Sequence, residues 1–155
     1  MSAITDIFTG FSTAITALTP ATDSGAPAAW AAVPAMALLL EHPADRTFTV
    51  MLARGGSMRQ VGSTGIGGQS DFEIKITVAF QLFNEGRGTA AWHVIMAEEM
   101  RKVLDRVLAY FRDGNVAGVT MIEEEDFSYT DSEDERIFYP VATWRLQYFD
   151  TIATA

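Results

Sequence analysis

A strand and a helix of opposite periodicity, joined by a short polar turn, constrain this chain more than any motif in it. Residues 71–83 alternate: Phe72, Ile74, Ile76, Val78, Phe80 and Leu82 occupy every second position, so a pleated strand turns them all to one face. Residues 84–88, Asn-Glu-Gly-Arg-Gly, break that pattern. From residue 89 to 113 the apolar positions change period: Trp92, Ile95, Met96, Met100, Val103, Leu104, Val107, Leu108 and Phe111 recur at spacings of three and four. That is one stripe of a long helix. Two one-sided elements separated by five residues bury their faces against each other, which fixes a helix-on-sheet layer as the nucleus of the fold.

The flanking segments extend that layer. Residues 1–20 predict an N-terminal helix over 2–18, with Ile4, Ile7, Phe8, Phe11, Ile15 and Leu18 as its stripe, Ser2 as cap and Pro20 as stop. Gly10 weakens it, so it needs packing. Residues 21–27 read as a linker. Residues 28–40 are apolar but interrupted by Pro34; they lean to a strand-like segment. Residues 46–83 read as a hairpin, in which Phe48, Val50 and Leu52 share a face of the first strand. Its tip is a long glycine-rich loop over 54–70. Gly114 is a helix stop, and 116–149 read as a second hairpin. In it a strand over 116–122 and an acidic loop over 123–136 precede a strand over 137–149. Trp144, Leu146 and Tyr148 face one side of that last strand, with Val141, Thr143, Arg145 and Gln147 on the other. Pro140 places it late-starting or at an edge, and residues 150–155 are expected to fray. The fold class is therefore α+β, a single domain over 1–155. An antiparallel sheet of about four strands carries the long helix and the N-terminal helix on one face.

Composition narrows the function classes. With no cysteine there are no disulfides, thiolate metal sites or cysteine nucleophiles. The N-terminus has no basic residue ahead of its apolar stretch, a poor secretion signal. The greasiest run, 28–40, is shorter than the roughly 20 residues a bilayer requires, so no membrane association is expected. The net charge of −9 argues against general phosphate binding, which draws on Lys and Arg. Eight of the 20 acidic residues lie in 123–135: Glu123, Glu124, Glu125, Asp126, Asp131, Glu133, Asp134 and Glu135.

No pattern specifies chemistry. Gly62-Ser-Thr-Gly-Ile-Gly-Gly68 lacks the Lys-Ser/Thr of a phosphate loop and runs into a strand, which excludes a dinucleotide fingerprint. His93 has Ala97 at the position where a second metal ligand would stand, and His42 precedes a proline in a turn; neither belongs to a zinc set. The acidic stretch lacks the spacing of a calcium loop. No catalytic, cofactor or metal residues are assigned. The Glu98, Glu99, Arg101 and Lys102 group reads as an exposed helix face with pairs three and four apart. The acidic stretch reads as a solvated loop or, more sharply, as a surface that docks on a basic one. Arg54 and Arg59, with no acid between residues 54 and 70, are the complement.

The layout as a whole resembles a known family. A helix leads into a hairpin whose second strand reads Ile74-Lys-Ile-Thr-Val-Ala-Phe-Gln-Leu-Phe83. A long helix follows with Met100-Arg-Lys-Val-Leu-Asp-Arg-Val-Leu108, then two strands, the last ending Ala142-Thr-Trp-Arg-Leu-Gln-Tyr-Phe149. Over roughly residues 4–149 this is similar to the tail-terminator and tail-completion proteins of long-tailed bacteriophages. The resemblance implies a structural virion protein and no enzyme: a small α+β subunit forming a homo-oligomeric ring, usually a hexamer. The ring caps the tail tube and joins it to the head at the neck. Its partners would be copies of itself, the tail-tube protein and a head-completion or connector protein, and assembly would take place in the host cytoplasm. DNA would pass through the channel without specific binding, since an acidic channel repels it. A connector or tail-tube subunit is the second reading. A small-molecule-binding domain or enzyme is the third, and it would gather His93, Arg145 and Tyr148 around one pocket. On the ring reading the contact regions are 54–70, 123–136 and the segment through Leu40.

Overall fold

The computed structural model describes residues 3–20, 29–34, 44–61, 67–81, 90–131 and 137–151. Helix α1 (Ala3–Thr16) leads to a two-residue strand β1 (Ala31–Ala32) and the long strands β2 (Thr47–Val61) and β3 (Gly67–Gln81). Helix α2 (Ala90–Arg112) and strands β4 (Val119–Asp131) and β5 (Ile137–Thr151) complete the chain. The five strands lie in one sheet in the order β1-β2-β3-β5-β4. The class is α+β, as expected, with one strand more. Every long pair is antiparallel. The added β1 runs parallel to β2 through Ala31↔Thr47 and Ala32↔Phe48, held by Ala31 N–H to the Arg46 carbonyl and Val33 N–H to the Phe48 carbonyl. Residues 35–40, the other half of the apolar segment, lie outside the described residues, as do Ser2, His42, the turn at 84–88 and residues 152–155.

Both helices cover one face of the sheet. Ile74, Ile76, Val78 and Phe80 of β3 and Ala142, Trp144, Leu146 and Tyr148 of β5 are buried, as the alternation demands. They pack with Ile7, Phe11, Ala14 and Ile15 of α1 and Met96, Met100, Val103, Leu104, Val107 and Phe111 of α2 in a single cluster. Phe11 ties the layers together. Its ring lies 4.9 Å from Phe111 and 5.4 Å, edge-on, from Trp144. Burial of such a side chain contributes about 1.5–3 kcal/mol. Gly10, a weak helix former, has a packing reason: a Cβ there would meet Val116 Cγ2 at 2.9 Å and Phe111 Cζ at 3.2 Å. Helix α2 stops where expected. Gly114 adopts φ 75° and its N–H bonds the Phe111 carbonyl, while the Asn115 side chain donates to the Tyr110 carbonyl. Only Gly relieves that left-handed position without strain.

Several sequence expectations need correction. Residues 54–61 and 67–70 are not a loop. The β2–β3 ladder runs out to Val61↔Gly67, through bulges between Leu52 and Arg54 and between Gly55 and Met58. Ladder hydrogen bonds use the backbone, so glycine and polar side chains do not end a strand that already has a partner; residues 62–66 lie outside the described residues. For the same reason residues 123–131 are strand β4, paired with β5 from Val119↔Tyr148 to Asp131↔Phe138. Residues 116–118 precede that strand, because Gly118 at φ 88° turns the chain into it. Strand β5 is central, not an edge. Pro140 is accommodated because the β3–β5 ladder has no bridge at Tyr139 or Pro140, between Thr77↔Val141 and Phe80↔Phe138. At the other end Asp150 and Thr151, expected to fray, pair with Gly68 and Gly67.

Candidate interaction surface

The sheet face away from the helices carries the charges. It is closed at one end, where Ala79 packs against Val33 and Tyr139, and partly open at the other. There the registers set four charged residues directly opposite one another: Arg54↔Glu73, Glu73↔Arg145 and Arg145↔Glu123. The result is one cross-strand row, Arg54–Glu73–Arg145–Glu123, alternating in sign from the β2 edge to the β4 edge. Arg54 Nη1 lies 3.7 Å from Glu73 Oε1, and Arg145 reaches Glu123 Oε1 at 4.0 Å and Asp71 Oδ2 at 3.7 Å. Opposed pairs of unlike charge on a sheet face are favourable. At this exposure each contributes at most about 1 kcal/mol, so the row orders charge more than it holds the fold.

The two sets of residues singled out in the sequence fall on opposite edges of this sheet. Arg54 is three-quarters exposed, and Arg59, opposite Gln69, follows it along β2. The partners of Arg54 and Arg59 on β3, Glu73 and Gln69, are four residues apart, with the bulge between Gly55 and Met58 intervening. On β4, Glu123, Glu124, Glu125 and Asp126 are all exposed. Glu123 and Asp126 stand opposite Arg145 and Thr143 of the open face, Glu124 stands opposite Trp144, and Glu125 occupies the bulge between Glu124 and Asp126. Asp131 pairs with Phe138; Glu133, Asp134 and Glu135 lie outside the described residues. Within one chain β3 and β5 separate the arginines from the β4 acids, three strand spacings or about 14 Å.

Other candidate sites do not assemble. Arg145 is on the open face while Tyr148 is buried in the core, so these two do not share a pocket; the His42 and His93 side chains lie outside the described residues. Among the described residues no group of three His, Cys, Asp or Glu side chains gathers to hold a metal. An open notch of about 340 Å³ lies between the end of α2 and the start of β4, lined by Phe111, Arg112, Val119, Thr120, Met121 and Ile122; it has no titratable group besides Arg112. No described helix is long and apolar enough to cross a membrane.

One charged cluster escaped the sequence reading. Glu99 is buried, not on an exposed face. Arg46, equally buried, places Nε 3.7 Å from Glu99 Oε2 and Nη1 2.6 Å from Asp45 Oδ2, with its guanidinium carbon 4.7 Å from the centre of the Phe80 ring. Lys102 Nζ closes the cluster on Glu99 at 3.2 Å. The signal was in the helix stripe: Glu99 stands three residues after Met96 and four before Val103, in phase with the core. Arg46 also holds φ 54° and donates its backbone N–H to the Ala79 carbonyl. The cluster pins the start of β2 to β3 and α2, a scaffold role.

Comparison with protein-family models and with curated proteins finds no match.

Proposed function

We propose that this chain is a structural virion protein: a ring-forming tail terminator that caps the tail tube of a long-tailed phage and forms the joint with the head. The observation that carries this reading is the sheet's pair of exposed long edges, one basic and one acidic. A subunit whose two complementary surfaces are different patches associates head to tail. Such an association closes into a ring when the rotation between neighbours allows it. The layout of elements that resembles the tail-terminator family supports the same reading. On it the partners are copies of the chain itself, the tail-tube protein and a head-completion or connector protein. The acidic character of the ring keeps DNA from adhering as it passes.

Electron microscopy of the purified protein tests this. Rings of a single size, which bind one end of purified tail tubes, are the expected result. Long tubes of the protein alone would assign it instead to the tail-tube subunits. A strict monomer at all concentrations that ignores tail tubes would refute the terminator reading.

A further inference from the structure

The charge row on the open face starts with a cation at one sheet edge and ends with an anion at the other. Beyond Phe48 no described strand lies outside β2, and none lies outside β4. Free edges expose unpaired backbone N–H and C=O groups and template the addition of another strand. The two edges differ in charge. Strand β2 contains Arg54 and Arg59 and no acid; β4 contains Glu123, Glu124, Glu125, Asp126 and Asp131 and no base.

We propose that the sheets of neighbouring copies join edge to edge, β4 of one copy pairing antiparallel with β2 of the next, with Glu123 facing the next copy's Arg54. The occupant of each edge is a second copy of this chain. This deepens the ring reading and rests on it by naming the joint between subunits. Three observations favour it. The first is direction: β2 to β3, β3 to β5 and β5 to β4 are each antiparallel, so β4 runs opposite to β2. Copies related by rotation about an axis along the strands keep their orientation, and β4 then meets the next β2 antiparallel, the commoner pairing. The second is sign. Arg54–Glu73–Arg145–Glu123 followed by the neighbour's Arg54 continues the alternation without a fault. The third is exclusion: a two-fold antiparallel pairing of β4 with β4 centred on Glu123–Asp126 sets those four acids against four acids, and like charges directly opposite destabilise a sheet. The charged and bulged edges thus discourage indiscriminate pairing while leaving one complementary match.

The chain has no cysteine, so directed cross-linking reports the joint directly. Cross-strand Cβ atoms lie about 4.5–5.5 Å apart, close to disulfide reach. Arg54→Cys and Glu123→Cys replace exposed side chains. On mild oxidation a mixture of the two variants is expected to give covalent dimer at least tenfold above either variant alone, and the doubly substituted chain a ladder of oligomers. Wild-type association is expected to weaken between low salt and about 1 M, where the screening length falls to about 3 Å. Efficient dimer from Glu123→Cys alone overturns the proposal in favour of a two-fold joint. Rings by light scattering with no mixed cross-link overturn the edge joint and leave the ring reading standing. A wild-type monomer at every concentration removes both.

Discussion

Replacing Arg46 with Met isolates the buried charge cluster. Arg46 has no exposed side-chain surface and Glu99 almost none. Met fills the aliphatic path of the arginine but removes the buried counter-charge of the Glu99 carboxylate and the 2.6 Å contact to Asp45. Breaking a buried pair from one side typically costs about 3–5 kcal/mol, because the remaining charge is desolvated and uncompensated. Here Lys102, half exposed and 3.2 Å away, still holds Glu99, which puts the expected cost near the low end, about 3 kcal/mol. The left-handed backbone at position 46 is equally unfavourable for Arg and Met, so that strain drops out of the difference. Urea unfolding at fixed protein concentration measures it: the midpoint should fall with the slope unchanged, and the melting temperature should drop by roughly 6–12 °C for a chain of this size. The double variant Arg46→Met with Glu99→Leu removes both charges. It should cost less than the sum of the two single changes by about 1–3 kcal/mol. Additivity within about 0.5 kcal/mol, or a cost below about 1 kcal/mol for Arg46→Met alone, would refute the assignment of Arg46 and Glu99 as mutually dependent buried charges.

Three further outcomes are expected, each read by thermal or urea unfolding. Gly118→Ala should cost distinctly more than Gly114→Ala. Both glycines hold positive φ, but a Cβ on Gly118 lies 2.8 Å from the Phe149 carbonyl oxygen, whereas one on Gly114 meets open space; about 1 kcal/mol is expected at Gly114 for the backbone alone, and equal costs would show that the contact at Gly118 relaxes. Gly10→Ala should destabilise by about 1 kcal/mol despite the better helix former, since overpacking outweighs propensity. Val116→Ala in the same chain should recover part of that loss, and a stabilised Gly10→Ala would contradict the close packing of α1 on Phe111 and Val116. Phe11→Ala should cost about 3–5 kcal/mol as a cavity among Phe111, Trp144 and the sheet; a loss under about 1 kcal/mol would mean α1 is not part of the cooperative core.

What the sequence made legible was periodicity. The stripes of β3, α2 and β5 and the stop at Gly114 were readable because each face-to-core pattern repeats over many residues. Strand ends were not readable. Residues 54–61, 67–70 and 123–131 have strand partners but no sustained apolar alternation, so backbone pairing alone carries the ladder there. The charge of Glu99 points to the surface, whereas its phase in the α2 stripe is that of the buried face. The candidate residues Arg54, Arg59 and Glu123 to Asp126 were visible as charge asymmetry. Their location on opposite edges was not, because strand order is set by β5 inserting beside β3, a long-range choice with no local signature.

That insertion is what gives the charge pattern its meaning. Had β4 followed β3 directly, Glu123 would not lie across β5 from Glu73, with Arg145 between them, and the row would not alternate. With β5 placed between β3 and β4, Arg145 stands between two acids and both ends of the row are left half-paired: Arg54 has an acid on one side only, and Glu123 a base on one side only. Each end is therefore what the other lacks, and neither can satisfy the other within a chain whose edges lie about 14 Å apart. The same topology makes β2 and β4 antiparallel, so the strand direction that suits pairing and the sign order that suits it come from one feature of the fold. Reversing the sign at one end, Glu123→Lys, places a base beside Arg145 within the chain and a base opposite the neighbour's Arg54. Association should then fall at least tenfold while the unfolding free energy of the isolated subunit changes by at most about 1 kcal/mol. A stability loss well above about 1 kcal/mol with association intact would show that Glu123 acts inside the subunit and not between subunits.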